Sequence, residues 1–511
     1  MDRELKALQE RNTWKVVPIG VARNKTILTG KWVFRVKTKA DGTIDKFKAR
    51  WVVRGFDLEH GRDFTETFAP VSRHTSLRIL LVIAAIERKK LRQIDVANAF
   101  LYAPVYAEIF VEQPHGFNAD PNQICQLEKS LYGIKQAPRL WQQHLHTRLI
   151  RIGFSQLPHD QGMYRLTKGT DYILLIVYMD DLLYIGSTDD VTTWFEGELQ
   201  QDLTLTVSST VTQYLGLNIQ DRENAIYLSA AKYADTIAKR FGLTPATITT
   251  PYCYTDGNRK EASALLKPTG IRDYQRKLDC LLFAAVTCRP DLSYSASQLA
   301  TYLKKPEADH VAELDRALHY LVSTSTIGLT YLKTRTTTPK LIGYVDADHV
   351  GDSDNRRSRT GYIYRLEPIG PISWQSSKQE LIALSSNEAE YIAHCSATKE
   401  GLYLHELLEE AKLARLPSFS LFCDNQSVIR IANKNGFANR TKHIALRYFF
   451  VKDEIEKGRL ELSYCPTSEM AVDYLTKKIG KRKFEYCMLL TGQGHVISID
   501  TPEAKGSVGN K

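Results

Sequence analysis

The segment Ile173-Leu174-Leu175-Ile176-Val177-Tyr178-Met179-Asp180-Asp181-Leu182-Leu183-Tyr184-Ile185 decides the architecture. Two apolar runs of strand length flank Met179-Asp180-Asp181, so two buried strands are joined by an acidic turn. Asp in a turn is by itself ordinary turn chemistry and needs no metal. Here the two charges sit at the mouth of a buried hairpin, where they repel and raise each other's pKa unless a cation compensates. Earlier in the chain the strand-like run Leu91 to Val96 places Asp95 at its end. Carboxylates at the ends of neighbouring strands can converge. Magnesium takes hard oxygen ligands, one or two carboxylates plus substrate phosphates, and two such ions roughly 3.5 to 4 Å apart serve phosphoryl transfer.

Working outward, the amino-terminal region interleaves Lys31, Arg35, Lys37, Lys39, Lys46, Lys48, Arg50 and Arg54 with aromatic and β-branched residues, and Asp41-Gly42 separates the two runs. That is the pattern of a basic β-hairpin, and at strand period 2 Lys48, Arg50 and Arg54 share one face. A helix with Ser76 as N-cap carries Leu77, Leu80, Leu81, Ala84 and Ala85; another starts near Pro138 with Trp141, Leu145 and Leu149 on one face. From Tyr274 to about Tyr331 the pattern is helical, and KTRTTTPK, Lys333 to Lys340, reads as a linker. A second α/β unit is expected from Leu341 to about Ile479, with a poorly structured tail after Lys481.

The second unit repeats the acidic device. Leu341 to Asp346 and Phe419 to Asp424 are apolar runs ending in Asp, and Asp473 lies in a later helical stretch. Ser385-Ser386-Asn387-Glu388 reads as a capping box opening a helix whose buried face holds Ala389, Ile392, Ala393 and Ala397. At about 100° per residue Glu388 and Glu390 lie on opposite flanks of that face, and periodicity does not choose between them.

The length of 511 residues exceeds what one core supports, about 250 to 300 residues, so several domains are expected. The 43% hydrophobic and 25% charged content is that of an ordinary globular chain. Lys plus Arg number 68 against 58 Asp plus Glu, and with a pI near 9.0 this favours a polyanionic partner, nucleic acid first. The eight cysteines form no C-x-x-C pair, which argues against a zinc module or a disulfide scaffold. The longest apolar stretch, Ile79 to Ile86, is far short of the roughly 20 residues of a membrane span, so no membrane partner is expected.

Tyr178-Met179-Asp180-Asp181 resembles the YxDD box of reverse transcriptases, and Ile94-Asp95-Val96-Ala97-Asn98-Ala99-Phe100-Leu101 resembles their first catalytic motif. Lys129-Ser130-Leu131-Tyr132-Gly133-Ile134-Lys135-Gln136-Ala137-Pro138-Arg139-Leu140-Trp141 is similar to a segment of copia-type LTR retrotransposons, and Lys31-Trp32-Val33-Phe34 and Lys48 to Phe56 resemble that family's fingers. In the second unit, Val345-Asp346-Ala347-Asp348, Arg359-Thr360-Gly361-Tyr362, Ser373-Trp374-Gln375, Glu390-Tyr391-Ile392-Ala393 and Ala471-Val472-Asp473-Tyr474-Leu475-Thr476-Lys477 resemble the family's ribonuclease H part.

The resemblance implies an α+β and α/β multidomain chain: a right-hand polymerase (fingers, palm, thumb) followed by a ribonuclease H-like domain. Fingers and palm would span 1–235, thumb and connection 236–335, ribonuclease H 336–480, and a flexible tail 481–511. It implies RNA- and DNA-directed DNA synthesis and hybrid cleavage with two Mg2+ per active site, Mn2+ being an alternative. Asp95, Asp180 and Asp181 would hold metal in one site; Asp346, Glu390, Asp424 and Asp473 in the other. Phe100 would exclude the ribose 2′-hydroxyl, and Tyr132, Gly133 and Gln136 would shape the nucleotide pocket, Gly133 having a simple turn role as an equal alternative. Lys48, Arg50 and Arg54 are candidates for the triphosphate, guanidinium and ammonium groups being suited to phosphate charge; which of them binds it stays open.

RNA template, DNA primer, RNA–DNA hybrid and dNTPs would be partners, with the element's integrase and capsid parts, in an intracellular setting of cytoplasmic virus-like particles and the nucleus. The chain would be the polymerase end of a longer polyprotein or a fragment of an element copy; a degenerate copy that binds nucleic acid without catalysis is the alternative. Two departures stand out. No histidine occurs in Tyr464-Cys465-Pro466-Thr467-Ser468 before the last acid, with His443 an open substitute, so slow nuclease turnover is expected. Leu203 to Val211 lacks the Asp-Leu-Gly-like segment usual before Tyr214-Leu215-Gly216.

Overall fold

The apolar runs around Asp180 form the strands Asp171–Tyr178 and Asp181–Gly186, paired antiparallel with Tyr178 opposite Asp181. They belong to a computed structural model that describes the chain apart from residues 24, 39–42, 118–119, 254–264, 335–338, 350–355, 413–415, 434–444 and 496–511. Two units are present: Met1–Arg73 with Leu91–Ser209, and His74–Lys90 with Thr210–Lys511.

In the first unit a six-stranded sheet runs in the order Leu205–Ser208, Arg92–Val96, Asp181–Gly186, Asp171–Tyr178, Met163–Lys168, Ser155–Gln156. Ile173, Leu175, Val177, Leu182 and Tyr184 pack in one cluster with Trp141, Leu145 and Leu149 of the helix Ala137–Ile152 and Phe195 and Leu199 of the helix Asp189–Gln200. Each such side chain stabilises the sheet by about 1.5–3 kcal/mol, so the strands carrying the acids have a rigid base. The basic hairpin pairs Gly30–Thr38 with Ile44–Val53, Trp32 opposite Trp51; its expected turn, Asp41-Gly42, lies outside the described residues. Arg54 does not share a strand face with Lys48 and Arg50. The strand stops at Val53, whose N–H donates to the Tyr132 carbonyl at 2.8 Å, while the Arg54 N–H turns to the Thr29 carbonyl.

The second unit includes the helix His74–Ile86, in which Ser76 through Ala85 are buried. Ser76 is therefore an interior residue rather than the N-cap, and the helix is buried on all sides, Arg78 included, whose guanidinium donates to the Ile372, Val286 and Thr287 carbonyls. The expected boundaries at 235 and 335 do not coincide with the division of the structure. One five-stranded sheet joins Gln213–Tyr214, Leu217–Asp221, Ala225–Ser229, Ile327–Leu332 and Gln493–His495, crossing both. Nor is the segment after Lys481 a loose tail up to His495: Lys481–Leu490 is a helix burying Phe484, Cys487 and Met488, and the strand after it pairs with Ile327 to Leu329. Apolar spacing in so short a stretch carries little signal without its distant partner strand.

A second five-stranded sheet follows the order Gly370–Lys378, Arg359–Glu367, Lys340–Asp348, Phe419–Cys423, Leu460–Tyr464; the first three are antiparallel and the last two join in parallel. Within this unit Arg289 and Asp291, both fully buried, form a two-point ion pair at 2.9 and 2.7 Å, and Tyr320 and Gln493 also donate to the Asp291 carboxylate. All eight cysteines are free, with only Cys253 exposed. No helix among the described residues is long and apolar enough to cross a membrane.

Candidate functional site

Asp181 opens its strand directly opposite Asp95, and the Val96 N–H donates to the Asp180 carbonyl at 3.1 Å, so the acidic turn is clamped to the neighbouring strand. Met179 has φ +58°, a left-handed conformation that costs a non-glycine residue about 1–2 kcal/mol. Such strain persists only where surroundings enforce it. Here Trp141 Nε1–H donates to the Met179 carbonyl at 2.8 Å from the buried helix face. Asp95 is exposed and Asp180 and Asp181 are half-buried. Asp181 accepts a hydrogen bond from Gln93 Nε2 at 3.3 Å. The carboxylates of Asp95, Asp180 and Asp181 are neighbours by backbone pairing, but their oxygens do not form a trio within 4.8 Å, which among the described residues occurs only at the second site.

Beside these acids the predicted pocket residues assemble around Tyr132. The Phe100 ring meets it edge-on at 5.0 Å, and the Arg50 guanidinium lies 4.4 Å from its centroid. Burial pushes the Tyr132 hydroxyl up to about 12, with Asp180 and Asp95 adding to the rise and Arg50 opposing it. Gly133 has φ +99°, and a Cβ there would lie 1.9 Å from the Val53 carbonyl oxygen, so glycine serves both the turn and the close approach. Gln136 is buried and donates to the Asp63 carbonyl at 3.2 Å, holding the loop after the basic hairpin. Glu4 of the amino-terminal helix faces the cations: burial raises its carboxyl, and Arg50 and Lys48 oppose that. No local pattern in the sequence pointed to Glu4. A cavity of about 1010 Å³ between this helix and the hairpin is lined by Arg35, Lys46, Lys48, Phe34, Phe47 and Asn98, among others.

In the second unit Asp346, Glu390 and Asp424 bring one carboxylate oxygen each within 4.8 Å of one another. Asp346 stands on the central strand, Asp424 just after its parallel neighbour, and Glu390 near the start of the helix Ser386–Glu410. Glu388 is occupied otherwise: its N–H donates to Ser385 Oγ at 3.2 Å and its carboxylate accepts from the Leu384 N–H at 2.7 Å. The helix thus spends Glu388 on its own cap and turns Glu390 to the cluster. Burial, then Asp346 and Asp424, hold the Glu390 carboxyl well above the usual range. Burial likewise raises Asp346, with Lys477 and a Thr476 hydrogen bond opposing. Three hard oxygen donors crowded at a partly desolvated site suit a divalent cation, which would relieve both the repulsion and the burial cost.

Asp473 is not in that trio. It is fully buried, its Oδ1 lies 2.7 Å from Lys477 Nζ, and its Oδ2 is paired with Lys483. Lys477 Nζ is also 3.5 Å from Asp346 Oδ2, which accepts from Thr476 Oγ1 at 2.5 Å. Gly361, opposite Asp346 in the ladder, admits the short helix Asp473–Thr476, because a Cβ there would meet Thr476 Cγ2 at 2.6 Å. Lys477, in extended backbone just past the helix Asp473–Thr476, was legible in the sequence as the last residue of the motif Ala471 to Lys477, with no sign there of its ion pairs. His443 lies outside the described residues.

Residues 11–253 match the family model described as reverse transcriptase (RNA-dependent DNA polymerase). The chain is 33% identical over 506 residues to the Retrovirus-related Pol polyprotein from transposon TNT 1-94 of Nicotiana tabacum, covering 96% of this chain and 37% of that protein. It is 33% identical over 311 residues to the transposon Ty5-1 protein of Saccharomyces cerevisiae, covering 60% of this chain and 99% of that one. The chain thus spans little more than a third of the long tobacco relative. Among solved structures, the foamy viral protease-reverse transcriptase in complex with RNA/DNA hybrid aligns with TM-score 0.51 at 13% identity, over 91% of this chain and 52% of that one. That likeness is one of fold, the class expected from the sequence: a right-hand polymerase with a ribonuclease H-like domain. The acidic hairpin, the pocket beside it and these relatives agree: the chain belongs to the reverse transcriptase family of copia-type retrotransposon Pol polyproteins.

Proposed function

We propose that this chain copies RNA and DNA templates into DNA from a primer and dNTPs, and cleaves the RNA of RNA–DNA hybrids at a separate site. The observation that carries the polymerase reading is the pairing of Asp95 with Asp181 under the clamped, strained turn at Met179 and Asp180. Asp95, Asp180 and Asp181 would hold Mg2+, or Mn2+, which accepts the same oxygen donors. When bound, the metal supplies positive charge to the attacking hydroxyl and to the phosphates. Arg50, and Lys48 beside it, neutralise the triphosphate, and Phe100, braced by Tyr132, excludes a ribose 2′-hydroxyl. Asp346, Glu390 and Asp424 would hold the nuclease metal. The net charge of +10 supports binding through phosphates, hence affinity that falls steeply with salt. In the element, integrase and capsid parts would be companions within a cytoplasmic particle.

Primer extension on an RNA template with Mg2+ tests the first activity: Asp180→Asn should abolish it while leaving hybrid cleavage in place. Undiminished extension by Asp180→Asn would end the polymerase reading. Hybrid cleavage that survives Asp346→Asn would end the nuclease reading separately, and wild-type protein that binds hybrid but does neither would be the degenerate copy.

A further inference from the structure

The nuclease-side cluster carries cations of its own. Lys477 Nζ bridges Asp473 Oδ1 at 2.7 Å and Asp346 Oδ2 at 3.5 Å, and Lys483 pairs with the other oxygen of the fully buried Asp473. Ionised, Asp346, Glu390, Asp424 and Asp473 carry four negative charges; the two ammonium groups return two. The remainder is the charge of one divalent ion, and the geometry gives that ion a place: the Asp346, Glu390 and Asp424 oxygens lie together, while Asp473 stands behind lysine. Asp348, two residues further along the strand, interacts with both Lys477 and Arg359; counted together, Asp348 and Arg359 cancel and leave the remainder unchanged. Lys477 is 38% exposed, so its long side chain has solvent to move into.

We propose that the Lys477 ammonium occupies the second cation position of this centre, so that the free protein binds one divalent ion there and admits a second only when Lys477 moves aside. This rests on the ribonuclease H reading above. Lys477 is then a positioning residue: it keeps Asp473 and Asp346 in register before substrate arrives. A hybrid's phosphates supply negative charge that attracts the second ion and offers the displaced ammonium a new partner. Hybrid binding and the second ion therefore strengthen each other, and by linkage each raises the other's affinity by the same factor.

The test is a Mn2+ titration of the full chain without nucleic acid, bound ions being counted from loss of the free-ion electron paramagnetic resonance signal. Asp95→Asn and Asp180→Asn in the background silence the polymerase centre. The parent should bind one Mn2+ and Lys477→Met two, the second at least roughly tenfold tighter than in the parent, as expected for removing a competitor held by a partly buried ion pair. Lys477→Arg should retain one. If Lys477→Met still binds one ion with unchanged affinity while Asp346→Asn abolishes binding, the proposal is overturned and the nuclease reading stands. If Lys477→Met binds none, the lysine builds the site rather than competing for it, which also overturns the proposal. If Asp346→Asn changes nothing, the nuclease reading itself falls.

Discussion

Replacing Gly133 by alanine should unseat the nucleotide pocket from the basic hairpin. The added Cβ would lie 1.9 Å from the Val53 carbonyl oxygen and within 2.9 Å of the Val53 carbonyl carbon and amide nitrogen, all backbone atoms that cannot swing away as a side-chain tip would. Relief requires the segment to part from the strand end, breaking the 2.8 Å hydrogen bond from the Val53 N–H to the Tyr132 carbonyl and drawing Tyr132 away from Arg50 and Phe100. The positive φ costs about 1–3 kcal/mol and the lost hydrogen bond about 1 kcal/mol, together about 3 kcal/mol. Gly169 is the control, because its φ is also positive, +63°, but nothing lies within 4 Å of its Cβ position. Gly169→Ala should cost about 1 kcal/mol of backbone strain alone. In a unit of this size 1 kcal/mol moves the melting point by about 2–4 °C, so Gly133→Ala should lower it by about 6–12 °C and Gly169→Ala by about 2–4 °C. Tryptophan fluorescence suits the measurement, since Trp14, Trp32, Trp51, Trp141 and Trp194 lie in the first unit and only Trp374 in the second. Primer extension should fall with the melting point while hybrid cleavage persists. Equal melting points for the two alanine variants would refute the close-approach argument.

Glu390→Gln should abolish hybrid cleavage, whereas Glu388→Gln should retain it and lose at most about 1 kcal/mol of stability, the value of a helix cap; the reverse ranking in a cleavage assay would contradict the assignment. Asp291→Ala should destabilise the second unit by about 3–5 kcal/mol in denaturant titration by leaving Arg289 charged and unpaired in the core, and the double change Arg289→Met with Asp291→Leu should recover much of that. His74 is held at about 4 rather than 6.5, by burial first and by Arg78 second. Its folded pKa is depressed, so its contribution is fully present above pH 6.5 and is lost as pH falls through about 4, because the unfolded chain takes up the proton first. Denaturation midpoints should therefore decline between pH 6.5 and 4, by up to about 3 kcal/mol from this residue, and His74→Phe should flatten that decline; an unchanged pH slope would exclude the effect.

What the sequence by itself determined was local. The strands about Asp180 and Asp95 follow from apolar runs of strand length, the helix Ala137–Ile152 from Pro138 and the spacing of Trp141, Leu145 and Leu149, and the helix start at Ser386 from the N-cap Ser385, whose Oγ accepts from the Glu388 N–H. These depend on backbone period and on partners a few residues away, which any stretch of chain contains within itself. Only the tertiary structure decided that Glu390 faces Asp346 and Asp424, that Asp473 is buried against Lys477 and Lys483, and that Arg54 leaves the hairpin face. The same holds for the placing of the helix His74–Ile86 in the second unit and of the strand Gln493–His495 beside Ile327–Leu332. The physical reason is that a side chain's partner across a sheet or beneath a helix is set by which distant edges pair and how deeply each charge is desolvated, and neither quantity is carried by the few residues around it.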